Sequence, residues 1–229
     1  MSKMAGHPAH LLPLEEGVFA IPLWLDHRLE GLRGGLQAQI GQAQRQLLAF
    51  AQQHDWSAHM REPLAREVVI FAEKKDFDAE IRRLFQLGPE FEIPETHCAT
   101  LHQEQLLTVS PALFTELYPT GIEPDSFTKL LVHELAHWLH IRLLAGNEEA
   151  MGPIWFYEGF ALSAAGQLKQ HAPALTPAEI WAIARSDERL SYQNYVTVFA
   201  YFQQFASLPE LVARAGDESF LDWLKTKGA

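Results

Sequence analysis

The sequence predicts an α+β chain, a small mixed lobe with a short sheet followed by a mainly helical lobe. Short β-branched and apolar runs cluster between residues 67 and 110, whereas apolar positions recur at helical spacing from residue 123 almost to the end. With 229 residues and 48% hydrophobic content, the chain buries a sizeable core without staples and reads as one compact unit. Within it, residues 1–60 form an N-terminal helical segment packed on the core, 61–122 the mixed lobe and 123–229 the helical lobe.

The elements follow in order. Residues 23–54 are rich in Gln and Ala and read as helical, softly interrupted at Gly31, Gly34, Gly35 and Gly41. Leu32, Leu36, Ile40, Ala43, Leu47 and Phe50 share one helical face, which favours packing on the rest of the chain, with a lid or inhibitory arm as the other reading. Val68, Val69, Ile70 and Phe71 form a buried strand, residues 77–87 a helix stopped by Gly88 and Pro89, and residues 96–102 and 105–110 extended segments. Beyond the helices around residues 133 and 158 lie further ones over 177–185, 192–205, 209–215 and 218–226.

Composition narrows the function classes. A formal charge of −11 argues against nucleic acid as a main partner, because phosphate binding needs clustered Lys and Arg. The lone Cys98 precludes an internal disulfide framework and leans towards a reducing compartment. Beside His97 it invites a cysteine-nucleophile reading, but without a supporting acid a buried structural cysteine is expected. No apolar run has the length of a membrane span, and Pro13, Glu15, Glu16, Pro22 and Asp26 break up the early residues, so the expected location is cytoplasmic with no membrane partner. Oligomeric state leaves no mark in the sequence.

Chemistry concentrates at His133-Glu134-Leu135-Ala136-His137. On a helix, residues i and i+4 lie one above the other, so two imidazoles reach one ion while the intervening carboxylate stands beside it as a base. The helix is supported by Asp125 or Ser126 as a cap after Pro124, by apolar Phe127, Leu130, Leu131, Leu135, Trp138 and Leu139, and by a stop at Gly146-Asn147. A third ligand is offered by Glu158 in Trp155-Phe156-Tyr157-Glu158-Gly159-Phe160-Ala161, after Pro153 in a helix's first turn. A carboxylate amid aromatics is costly unless paired or bound to a cation; the plain alternative is a Glu pointing to water.

HELAH followed by W-x-x-E-G-x-A resembles the gluzincin metallopeptidases, in particular the branch containing the zinc aminopeptidases. The resemblance implies a zinc-metallopeptidase-like fold with the active-site helix at a cleft. It implies one Zn2+ per chain held by His133, His137 and Glu158, Glu134 as general base, and a peptide or protein substrate. It also implies a phenol donor to the developing oxyanion, for which Tyr192 matches in Ser191-Tyr192-Gln193-Asn194-Tyr195; Tyr195 is the second candidate, and core packing the competing role for both. A strand shortly before the metal helix borders the cleft in such enzymes, so residues 106–110 are either that edge or an interior strand.

Departures bound the resemblance. Metzincins need Gly and His where this chain has His140 and Leu143, and His140 tilts away from the site as a core or surface histidine. Leu162 stands where some gluzincins carry an acid that orients a ligand, and the Gly-x-Met-Glu-Asn aminopeptidase motif is absent, so aminopeptidase activity does not carry over. Three protein ligands leave an open coordination position, unlike a closed structural zinc site. The alternatives are a binding or regulatory protein that keeps the scaffold without turnover, and a hydrolase of a non-peptide amide.

Overall fold

The structure is a computed structural model that describes residues 11–119 and 122–228. It opens with a short antiparallel hairpin of β1 (Pro13–Glu15) and β2 (Val18–Phe19). Buried Gln44 pins this hairpin to the first helix: its amide accepts from Phe19 N–H at 2.9 Å and donates to Phe19 C=O at 3.0 Å. One side chain thus replaces both ladder bonds that a neighbouring strand would have made.

The larger sheet has four strands in the order β3 (Leu23–Leu25), β4 (Glu67–Phe71), β6 (Gln105–Val109) and β5 (Ala99–His102). β3, β4 and β6 run parallel, and β5 pairs antiparallel with β6 at the edge. The interior strand β6 is almost wholly buried, which explains its near-continuous apolar run. Of the two roles open to residues 106–110, the structure gives the interior one, and β5 forms the border. The β5–β6 turn is tight, with Gln103 and Glu104 both at positive φ, the geometry that matches strand twist.

Helix α1 (Arg33–Gln53) follows β3 and α2 (Lys74–Phe85) follows β4. The helical reading of residues 23–54 therefore holds from His27 onward, as a short 3-10 helix over His27–Leu32 that runs into α1, whereas Leu23 to Leu25 are strand. Three residues are too few for periodicity to register, and β3 exists because it pairs with Val68 to Ile70 across a long separation. A short helix, α3 (Pro111–Leu117), is capped by Ser110, whose hydroxyl accepts from Leu113 N–H at 3.3 Å.

The second lobe contains α4 (Ser126–Leu143), α5 (Ile154–Ala165), α6 (Pro177–Ala184), α7 (Tyr192–Phe202), α8 (Leu208–Arg214) and α9 (Phe220–Thr226). Asp125 occupies the N-cap of α4 at φ 59° without a side-chain capping bond, so the expected cap is formed by backbone alone. Pro153 sits at the N-cap of α5, one position before the first turn. Helix α4 packs against both α1 and α5, which also touch each other, and α5 in turn lies against α7. At that last contact a Cβ on Gly159 would lie 2.6 Å from Phe199 Cβ, so only glycine permits the approach.

The lobes are tied by polar bonds as well. Arg142, near the end of α4, donates to the carbonyls of His59 at 2.8 Å, Glu62 at 2.9 Å and Pro63 at 2.8 Å. Gln46 of α1 donates to the Ala165 carbonyl at 2.9 Å, satisfying an orphan group at the end of α5. No described helix is long and apolar enough to cross a membrane.

Candidate metal centre

The side-by-side packing of α4 and α5 brings His133, His137 and Glu158 together. His133 Nε2 lies 3.1 Å from Glu158 Oε2 and 3.2 Å from His137 Nε2, and His137 Nε2 lies 3.7 Å from the same carboxylate oxygen. Ligand bonds of about 2.0–2.1 Å to a tetrahedral zinc put ligand atoms about 3.3 Å apart. The three donor atoms therefore already describe one face of such a tetrahedron. Donor chemistry agrees, two imidazoles and one carboxylate being a set zinc accepts.

Each candidate ligand is held by a neighbour. His133 Nδ1 lies 3.0 Å from Gln167 Oε1, so the Nδ1–H donates there and orients the ring with Nε2 towards Glu158 and His137. Gln167 reaches back because Gly166 ends α5 in the left-handed region at φ 63° and the Gln167 N–H closes on Leu162 C=O at 3.0 Å. Glu158 divides its oxygens: Oε2 faces the imidazoles, and Oε1 accepts a short charge-assisted bond from Arg189 Nη2. That nitrogen also donates to Tyr192 Oη at 3.0 Å. His137 rests edge-on against Tyr157, ring centres 5.9 Å apart.

Charge states follow from these contacts. Burial alone would raise the Glu158 carboxyl, but hydrogen bonds and charge from His133 and His137 overcome it and hold the group well below the usual carboxylate range. Glu134 is shifted the other way: burial raises its carboxyl, opposed only in part by the two imidazoles. It lines the cleft beside His133 and makes no hydrogen bond to any described residue. Burial, reinforced by Glu158, also raises the Tyr192 phenol, which stays protonated and able to donate. Because a guanidinium has only donors, Tyr192 Oη accepts from Arg189 and its own proton is directed elsewhere.

The other tyrosine is engaged differently. Tyr195 is buried, and its Oη accepts from Leu190 N–H at 2.6 Å, pinning the loop before α7. Tyr192 instead stands with its ring 5.9 Å from that of His133. His140 is a core residue, stacked on Phe160 at 4.6 Å and outside the ligand cluster. Cys98 is buried at the cleft wall with its thiol pushed up to about 11 by burial, which suits a structural role.

Gln167 and Arg189 are the two site residues absent from the sequence reading. A signal existed for the first, since a helix stopped by Gly166 leaves the next side chain free to turn back on α4. Arg189 carries no comparable signal; it sits in an irregular loop before Ser191. Comparison with protein families, with curated proteins and with solved structures finds no match to this chain, so its chemistry rests on its own residues.

Proposed function

We propose that this chain is a zinc-dependent hydrolase of peptide bonds, of the gluzincin type. The observation that carries this reading is a cluster of three donor atoms 3.1 to 3.7 Å apart, with Glu134 beside it in a cleft and hydrogen-bonded to no described residue. Zinc held by His133, His137 and Glu158 would supply Lewis acidity towards a carbonyl and make water a stronger acid.

The remaining steps belong to the protein. Glu134, made more basic by burial, takes a proton from the attacking water and returns it to the leaving amine. Tyr192 directs its phenol proton at the oxygen where negative charge develops, an interaction that strengthens in the transition state. The start of β5 contributes Ala99 to the cleft wall, and its outer edge offers backbone groups to an extended substrate.

Metal analysis of protein purified without added zinc, joined to a peptide-library digest by wild type and Glu134→Gln, tests the proposal. The expected result is one zinc per chain in both proteins, with cleavage by wild type that a chelator abolishes and Glu134→Gln lacks. Cleavage indifferent to both would refute it. Stoichiometric zinc without cleavage of any library member would favour a binding or regulatory protein instead.

A further inference from the structure

Arg189 spans two environments. Its Nη2 bonds inward to Glu158 and Tyr192, yet the side chain is 59% exposed, and Nε and Nη1 make no hydrogen bond to any described residue. A guanidinium presents five N–H donors in a rigid fork that matches a carboxylate in two parallel bonds. With one nitrogen fixed by the site, the outer edge of the fork is held at the site and open to solvent.

Local charge adds a second argument. The two positive charges of a zinc ion would be balanced by Glu134 and Glu158, so Arg189 leaves the loaded site with one uncompensated positive charge. This occurs in a chain whose formal charge is −11. Glu134 is the only acid among the described residues that line the pocket between His133 and Tyr192. A base that must shuttle protons is poorly suited to hold an ammonium group as well.

We infer that Arg189 binds the free carboxylate of a substrate cleaved at its C-terminal residue, a peptide or an N-acyl amino acid. Successive residues lie about 3.8 Å apart, so a carboxylate one residue beyond the scissile carbonyl falls within reach of a guanidinium that touches both Glu158 and Tyr192. In the reaction, water oxygen joins the carbonyl carbon, the C–N bond breaks and the amine leaves with the proton carried by Glu134. Arg189 keeps all its protons throughout. The inference rests on the hydrolase reading above and narrows its substrate class.

The test uses N-acyl dipeptides, each prepared as a free acid and as a C-terminal amide, with zinc-saturated protein. Wild type is expected to cleave the acids with a kcat/KM about tenfold or more above the amides, the scale of one charge-assisted pair. Arg189→Gln, with its zinc content verified, is expected to bring that ratio close to one, and Arg189→Lys to retain part of it. Calorimetry on Glu134→Gln gives a readout independent of turnover: acids bind more tightly than amides, and the difference vanishes in the Glu134→Gln, Arg189→Gln double variant. Equal cleavage or equal binding of acids and amides would overturn the inference, as would a preference that survives Arg189→Gln. Should the dipeptides resist cleavage while the peptide library is cut, the inference fails and the hydrolase reading stands; should neither be cleaved, the hydrolase reading fails, and the binding comparison still decides the role of Arg189.

Discussion

Replacing His140 by Phe should change how stability depends on pH. His140 is fully buried, and neither ring nitrogen has a hydrogen-bond partner among the described residues. Burial, with some help from His137, depresses its pKa from 6.5 to about 3. The unfolded chain therefore takes up this proton at higher pH than the folded one. Stability attached to the neutral ring is complete above pH 6.5 and drains away as pH falls towards about 3. Each pH unit inside that window costs about 1.4 kcal/mol, so wild type loses about 2 kcal/mol through this residue between pH 6.5 and about pH 5. Phe cannot protonate and keeps the stack on Phe160. It also removes an unsatisfied donor and acceptor, worth about 1–3 kcal/mol, against a packing cost of similar size. The near-neutral difference is consequently small, and the informative quantity is its growth with acidity. Urea unfolding of both proteins in the presence of a chelator, at a series of pH values from about 7.5 to 5, isolates that growth because the metal ligands titrate alike in each. A gap between the two proteins that widens by about 2 kcal/mol is expected. Parallel stability curves would show that His140 is solvated or paired in solution and refute the reasoning.

Three other perturbations probe the site and its frame. Gln167→Leu should weaken zinc binding by about 10- to 100-fold, since His133 loses the acceptor that orients it; an unchanged affinity in chelator competition would remove Gln167 from the metal centre. Tyr192→Phe should lower kcat by about 100-fold or more with little change in KM, the signature of a donor used in the transition state, and a pure KM effect would reassign it to substrate binding. Gly159→Ala forces a Cβ to within 2.6 Å of Phe199 Cβ and should cost about 1–3 kcal/mol in thermal unfolding, whereas an unaltered melting curve would mean that α5 and α7 separate readily.

The clustering of His133, His137 and Glu158 is legible in the sequence because its geometry is local. The spacing of His133 and His137 needs only a helix, and Glu158 stands out as an acid among Trp155, Phe156 and Phe160. What holds these three side chains is less legible. Gln167 meets His133, and Arg189 meets Glu158, across more than thirty positions, through packing that no short-range pattern encodes. The sheet shows the same division. The apolar run of β6 was visible, but whether it was edge or interior depended on β4 and β5 lining up on either side, and β3 was too short to leave a periodic trace. Asp125 had the right side chain for a cap, but its left-handed backbone leaves that side chain without a capping bond.

Helix α1 bears on how this protein tolerates cutting and rearrangement. Ala43, Leu47 and Ala51 are wholly inaccessible, and Gln46 closes the last turn of the helix that carries Glu158. An element so enclosed is a brace, which counts against the reading of this region as a removable arm. Proteolytic loss of residues 11–54 would disrupt the fold instead of releasing a freed core, and α4 and α5 could not be transplanted as an independent pair. Grafts and permuted termini belong instead at the turn formed by Gln103 and Glu104, where the chain reverses at the surface.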